Sequence, residues 1–338
     1  MNTIAELENK LSEPSPRLIE DIRSISGDII ILGAGGKMGP TLAKMARRAA
    51  DKAGLSKRII AVSRFSNHPA RIELEQEGVE TIAADLLDPH QLNQLPEAEN
   101  VIHMAGFKFG TVGNEAYTWA MNTYLPACVA QKFKGANIVN FSSGNVYPLT
   151  PVSKGGATET HPTGPIGEYA QSCLGRERIF EYFAHLHQIK IVHFRLNYAI
   201  DLRYGVLLDV ARQVKEGKPI DLNMGHVNVI WQGDANEMAI RSLRLADSPP
   251  LIINVTGPET ISIRGLARQF GNLLQKEPVF LNEEKETALL SNASKAHQLL
   301  GYPNVPLQQM IEWVAQWVEK DGIMINKPTH FQQREGAF

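Results

Sequence analysis

The chain has 338 residues, with 34 Lys and Arg against 36 Asp and Glu and a net charge of −2; that length suits about two domains or one large α/β unit. The charge balance argues against a nucleic-acid-binding protein and against an anionic membrane surface as partner. Two cysteines, Cys128 and Cys173, supply no disulfide framework, and there is no apolar run of about 18 residues and no signal-like leader, so the expected setting is the cytoplasm.

Residues 1–26 read as two short helices around the linker Ser12-Glu13-Pro14-Ser15-Pro16. The second, from about 17 to 25, puts Leu18, Ile19, Ile22 and Ile25 on one apolar face. The segment is expected to pack as an extension on the domain that follows and to carry no chemistry. From residue 28 strands and helices alternate. Strands are expected at 28–32, 58–63, 79–83, 100–104 and 137–141, with an Ala-rich helix at 41–52. A proline-rich loop section after 150 leads to a helix at 166–187 and a strand at 189–195. This rhythm predicts an α/β fold, a doubly wound parallel (Rossmann) sheet over 27–195. Residues 196–320 are expected to form a smaller, mainly substrate-binding α/β part, some segments of which return to the sheet. They end in an amphipathic helix at 307–318 whose Met310, Ile311, Val314, Trp317 and Val318 read as core. Residues 321–338 read as a tail.

Gly33-Ala34-Gly35-Gly36-Lys37-Met38-Gly39 follows the first strand and opens a helix. Glycines at 33, 36 and 39 suit a tight turn, a close approach of backbone to a pyrophosphate, and helix–strand contact. The free N–H groups of the helix start would face the phosphates. Lys37 would add charge there, with Met38 in the same turn. The second strand ends in Ser63-Arg64. Ser63 stands where an acid would grip the ribose hydroxyls of NAD, and a serine followed by an arginine suits a 2′-phosphate, so NADP is favoured over NAD. No histidine spacing suggests a metal site. Ser142-Ser143-Gly144 lacks the elbow of a serine hydrolase.

Further landmarks follow in order: Ala84-Asp85-Leu86-Leu87-Asp88, Val101-Ile102-His103-Met104-Ala105-Gly106, Asn122, Phe141-Ser142-Ser143-Gly144-Asn145-Val146-Tyr147 and Glu168-Tyr169-Ala170-Gln171-Ser172-Cys173. Together with the glycines they resemble the extended short-chain dehydrogenase/reductase family, the NAD-dependent epimerase/dehydratase group, over about residues 28–318. The resemblance implies that Asp85 and Leu86 contact adenine. It places Met104, Ala105, Gly106 and Asn122 at the cofactor. Ser143 and Tyr169 become the catalytic pair: tyrosinate takes a hydroxyl proton while hydride passes to the nicotinamide, and the serine holds the substrate oxygen. It assigns Asn145, Asn197, Tyr198 and Trp231 to substrate, leaves Arg203 for a carboxylate, and implies a homodimer through the helices near 115–132 and 168–187.

The chain departs from the family twice. Tyr-x-x-x-Lys becomes Tyr169-x-x-x-Cys173, on one helical face. The family's lysine holds the nicotinamide ribose and lowers the tyrosine pKa. An unperturbed tyrosine titrates near ~10 and is ionised about one part in a thousand at neutral pH. Cys173 supplies no fixed charge and is expected to pack, so another base, a histidine or a lysine such as Lys108 or Lys154, would serve. Secondly, Val227 stands where nucleotide-sugar members carry an arginine, which argues against a nucleotide-diphosphate sugar. The resulting reading is an NAD(P)-dependent oxidoreductase or epimerase acting on a hydroxyl of a small carbohydrate or sugar acid. The competing reading is a silent dinucleotide-binding sensor or scaffold.

Overall fold

Ile29-Ile30-Ile31-Leu32 is buried at every position, as a strand covered on both faces must be. It forms β1 (Ile29–Leu32) within a seven-stranded parallel sheet. The computed structural model describes residues 1–66, 68–108, 110, 113–325, 327 and 329–336. The remaining strands are β2 (Ile59–Ser63), β3 (Glu80–Ala83), β4 (Asn100–His103), β5 (Asn137–Ser143), β6 (Lys190–Leu196) and β7 (Leu251–Val255), in spatial order β7-β6-β5-β4-β1-β2-β3. The expected strands appear within two residues of their bounds. β7 fills the far edge, where it pairs in parallel with β6.

Side chains alternate across the sheet. Ile29 and Ile31 join the core on one face with Ile59, Ile102, Val139 and Phe194. Ile30 and Leu32 join the other with Ile60, Val101, Ile138 and Ile191. The first face is covered by α2 (Pro16–Ser24) and α3 (Gly39–Lys52). Ser15 caps α2 by accepting the Leu18 N–H at 3.2 Å, and Leu18, Ile22 and Ile25 are buried while Ile19 is half-buried. The second face is covered by the helix at Leu125–Lys132 and by α4 (Gly167–His187).

The third core belongs to the C-terminal part. It gathers α5 (Val206–Glu216), Trp231 ahead of α6 (Gln232–Ser242), α7 (Ile263–Leu274) and α8 (Leu307–Glu319). Leu7 and Leu11 of α1 (Ile4–Leu11) are buried in this core. The N-terminal extension therefore spans both parts of the molecule and does not rest on the following domain alone.

The final segment is held at Ile325, Thr329 and Arg334. Ile325 N–H donates to Arg203 O at 3.0 Å, and Thr329 N–H and Oγ1 donate to Asp209 Oδ2 at 2.9 and 2.7 Å. The Arg334 guanidinium donates to Thr287 O and Asn223 O at 2.7 and 2.9 Å. Residues expected as a tail form a strap over the C-terminal part; positions 326, 328, 337 and 338 of that expectation lie outside the described residues.

Candidate functional site

Strand order turns back at β1, and the crevice beyond the carboxyl ends of β1 and β4 is where such sheets bind ligands. Two connected cavities open there. The outer one, about 410 Å³, is lined by Ser63, Arg64, Asp85, Leu86 and Ala105. The inner one, about 260 Å³, is lined by Lys37, Met38, Gly39, Ser143, Asn145, Tyr169, Asn197 and Tyr198. Gly33, Gly36, Met104, Gly106, Phe107 and Lys108 line both, so the two are one path.

The three glycines do different work. Gly33 has φ +89°, and a Cβ there would meet Ala105 N at 2.6 Å. A Cβ at Gly39 would run into the Ala34 backbone. Gly36 is different: a Cβ there would meet nothing nearer than Gly33 O, at 3.4 Å. Its own packing does not require glycine, and the residue opens on both cavities. α3 begins just beyond, with no side chain capping it, so its first N–H groups are left for a ligand. The Lys37 ammonium turns away from this end. It donates to Ala199 O at 3.1 Å and lies 4.0 Å from the Tyr204 ring centroid. Burial pushes its pKa down to about 8. Lys37 thus faces the inner cavity's far wall and not the helix start where phosphates were expected.

Ser143 ends β5. Asn145 donates to Ser143 Oγ from both its backbone N–H and its amide, each at 3.1 Å. The hydroxyl proton is left to donate onward. Tyr169, in the first turn of α4, brings its phenol within hydrogen-bonding reach of Ser143 and of the Cys173 thiol. Burial pushes that phenol well above the ordinary tyrosine value, the Cys173 neighbour adds to the rise, and the Arg176 charge opposes it. Burial likewise raises the Cys173 thiol. Cys173 is 1% exposed and packs with Val146, Tyr147 and Ala157 behind the cavity wall. A neutral thiol in that setting is no nucleophile.

Two cations flank this pair. Arg176 lies seven residues past Tyr169, on the same face of α4. Its guanidinium donates to Phe141 O at 2.6 Å, to Asn122 Oδ1 at 2.5 Å and to Asn122 O at 3.4 Å. It occupies the space beside Gly106, where a Cβ would collide with it. The Lys108 ammonium lies 5.8 Å from the Tyr169 ring centroid; Lys154 is exposed and lines neither cavity.

Three residues expected at the site are placed elsewhere. Asn122 is buried in a π-turn within the helical stretch 115–132. It holds Phe107 N–H and O, Ser172 and Arg176, and acts as a strut behind the loop that follows β4. Arg203 pairs with Glu8 at 2.6 Å and Asp201 at 3.0 Å, so its charge is consumed between α1 and α5. Trp231 is a core residue stacked edge-on to Trp313 at 5.3 Å. In contrast, the Asn197 amide nitrogen is buried with no partner among the described residues, in the wall of the inner cavity. Arg176 was missed although its i+7 spacing from Tyr169 was readable. Phe107, Tyr204 and Thr329, which also line the cavity, carry no local signal.

Among the described residues no group of three His, Cys, Asp or Glu side chains is placed to hold a metal, and no helix is long and apolar enough to cross a membrane.

The profile of the NAD dependent epimerase/dehydratase family matches residues 29–234, and the chain belongs to that family. No curated protein matches it by sequence. Solved structures share the fold. UDP-glucose 4-epimerase of Thermotoga maritima with UDP-glucose is 16% identical, with 87% of this chain and 99% of that one covered and a TM-score of 0.69. UDP-glucose 4-epimerase of Thermus thermophilus with NAD is 18% identical, with the same coverage and a TM-score of 0.70. The dTDP-glucose 4,6-dehydratase of Streptomyces venezuelae with NAD is 15% identical, covering 87% and 97%, with a TM-score of 0.72. The residues present fit a dinucleotide: the uncapped helix start and the opening at Gly36 suit the phosphates, and Asp85 and Leu86 wall the outer cavity.

Proposed function

We propose that the chain is an NAD(P)-dependent oxidoreductase or epimerase acting on a hydroxyl of a small carbohydrate or sugar acid. The observation that carries this reading is the single path from the glycine loop to Ser143 and Tyr169. A bound nicotinamide would accept or return hydride at the inner end of that path. Ser143 donates its hydroxyl proton to the substrate oxygen, Tyr169 takes or gives the proton, and Asn197 offers a free amide donor. Val227 supports a substrate without a nucleotide diphosphate: it is fully buried, paired with Ile261, and leaves no cation at that position.

The test is nicotinamide absorbance after mixing the protein with NADP⁺ or NAD⁺ and a panel of sugars and sugar acids. A substrate-dependent rise supports the enzyme. Cofactor binding with silence across the panel favours the sensor reading, to which the uncharged Cys173 and the raised Tyr169 phenol also point.

NADP is the cofactor in this reading, because Ser63, Arg64 and Ser66 line the outer cavity at the end of β2. Arg64→Asp is expected to reverse the preference, costing NADP⁺ about tenfold or more in affinity, as loss of a charged hydrogen bond does. Equal titration curves for NADP⁺ in the two proteins would refute it.

A cytoplasmic homodimer completes the proposal. Tyr124 in the 115–132 stretch, with Tyr182 and Leu186 on α4, is 54%, 62% and 56% exposed respectively. Aromatic surface of this kind suits an interface core. Light scattering is expected to give a dimer, and Tyr182→Asp with Leu186→Asp a monomer; a monomeric wild type would end this assignment.

A further inference from the structure

The pair Tyr169 and Cys173 is enclosed and uncharged, yet the side chains with ionisable groups around it are basic. Among the described residues lining the inner cavity there is no Asp or Glu, but there are Lys37, Lys108 and Arg176. Their geometry separates their work. Lys37 is turned to Ala199 O and the Tyr204 ring. Arg176 is anchored by bonds from Nε, Nη1 and Nη2 to Phe141 O and Asn122, which fix its guanidinium beside Gly106 and away from the joint of the cavities. Lys108 differs in position. It follows β4 in the loop that also carries Gly106, lines both cavities, and so stands at the joint between them. Its ammonium lies 5.8 Å from the Tyr169 ring centroid, and burial lowers its pKa.

We propose that Lys108 supplies from the β4 loop the cation that α4 lacks at position 173, binding the hydroxyls of the ribose that joins the cofactor's pyrophosphate to its nicotinamide and standing beside the Tyr169 phenol. The joint of the cavities is the place for that ribose: phosphates lie at the helix start on one side, and the reacting ring lies against Ser143 and Tyr169 on the other. A lysine suits the task, since a compact ammonium on a flexible stem presents three rotatable donors. Enclosure of the ammonium favours its exchange of protein contacts for ribose oxygens over exposure to water. The inference rests on the reading of the path as a dinucleotide site.

Calorimetric titration of the wild type, Lys108→Met and Lys108→Met with Cys173→Lys against NADP⁺, NAD⁺ and ADP tests it. ADP carries the adenosine and the pyrophosphate but not the second ribose. Lys108→Met is expected to lose about tenfold or more for the better-bound dinucleotide, the scale of a charged hydrogen bond, with ADP affinity unchanged. The unchanged ADP value shows that the variant is folded. Adding Cys173→Lys is expected to restore most of the loss, because it returns an ammonium to the same place from the helix side. Dinucleotide affinity equal to wild type in Lys108→Met would overturn the assignment and leave the enzyme reading standing. Equal losses for ADP and dinucleotide would also overturn it, making Lys108 a phosphate contact. A wild type that binds none of the three removes the dinucleotide site and this inference together. Should Lys108→Met fail to fold, Lys108→Gln carries the same comparison.

Discussion

Tyr169→Phe is expected to lower turnover by about 10²- to 10⁴-fold, the usual contribution of a positioned proton-transfer group, while leaving dinucleotide affinity little changed. The phenol oxygen is the only atom removed. Ser143 keeps the two hydrogen bonds that Asn145 donates to its Oγ when the phenol oxygen is gone, so the serine is expected to hold its place. The pH dependence should differ by direction. Oxidation of a hydroxyl needs the phenolate, and burial, reinforced by Cys173, pushes the Tyr169 phenol well above its ordinary value. The rate of oxidation therefore rises about tenfold per pH unit below the phenol pKa. Reduction of a carbonyl needs the phenol, which is already the dominant form, so that rate stays flat across neutral pH. Steady-state rates in both directions from pH 6 to 9 check the pair of slopes. A Tyr169→Phe protein with wild-type turnover would assign the proton to another group.

The strands of the nucleotide half were legible because each is a short apolar run bounded by turn residues, and two-sided burial demands such a run. β7 was not placed, because Leu-Ile-Ile-Asn-Val joins the sheet only after the chain has travelled from Leu196 through the C-terminal part to Leu251. Nothing local marks that return. The same logic divides the site. Ser143, Tyr169 and the glycine loop were readable because motif order and spacing are local. Arg203 shows no sign in the sequence of its ion pair, because its partner Glu8 is 195 positions away. Trp231 packs in the core against Trp313, and an indole in a substrate-like stretch and an indole in a core have the same sequence signature. The strap that carries Ile325, Thr329 and Arg334 reads as a tail for a related reason. Its polar residues find their partners, Asp209, Thr287 and Asn223, only in the folded molecule.

The largest effect on stability is expected beneath the cavity floor. Glu177 on α4 and Arg195 on β6 form a two-pronged pair at 2.9 and 2.6 Å, with side chains 0% and 3% exposed. The network extends on both sides. Ser142 Oγ donates to Glu177 at 2.5 Å, Arg195 donates to the Tyr147 hydroxyl at 2.6 Å, and Tyr147 donates to Asn254 Oδ1 at 2.8 Å. Burial would raise the Glu177 carboxyl, but the Arg195 bonds and neighbouring charges outweigh it and hold the group below its ordinary value. Replacing Glu177 by Leu or Arg195 by Met leaves one buried charge without its counter-ion. Each is expected to cost about 3–5 kcal/mol, the scale seen when one member of a buried pair is removed. The double variant Glu177→Leu with Arg195→Met is expected to cost less than either single change, since both desolvated charges disappear together. Denaturant unfolding of the three variants checks the order. Costs that simply add would show that the two side chains do not act as a pair. Because Ser142 and Phe141 border the inner cavity, the single variants should also loosen the strand end that holds Ser143, so their turnover is expected to fall at temperatures well below the unfolding transition.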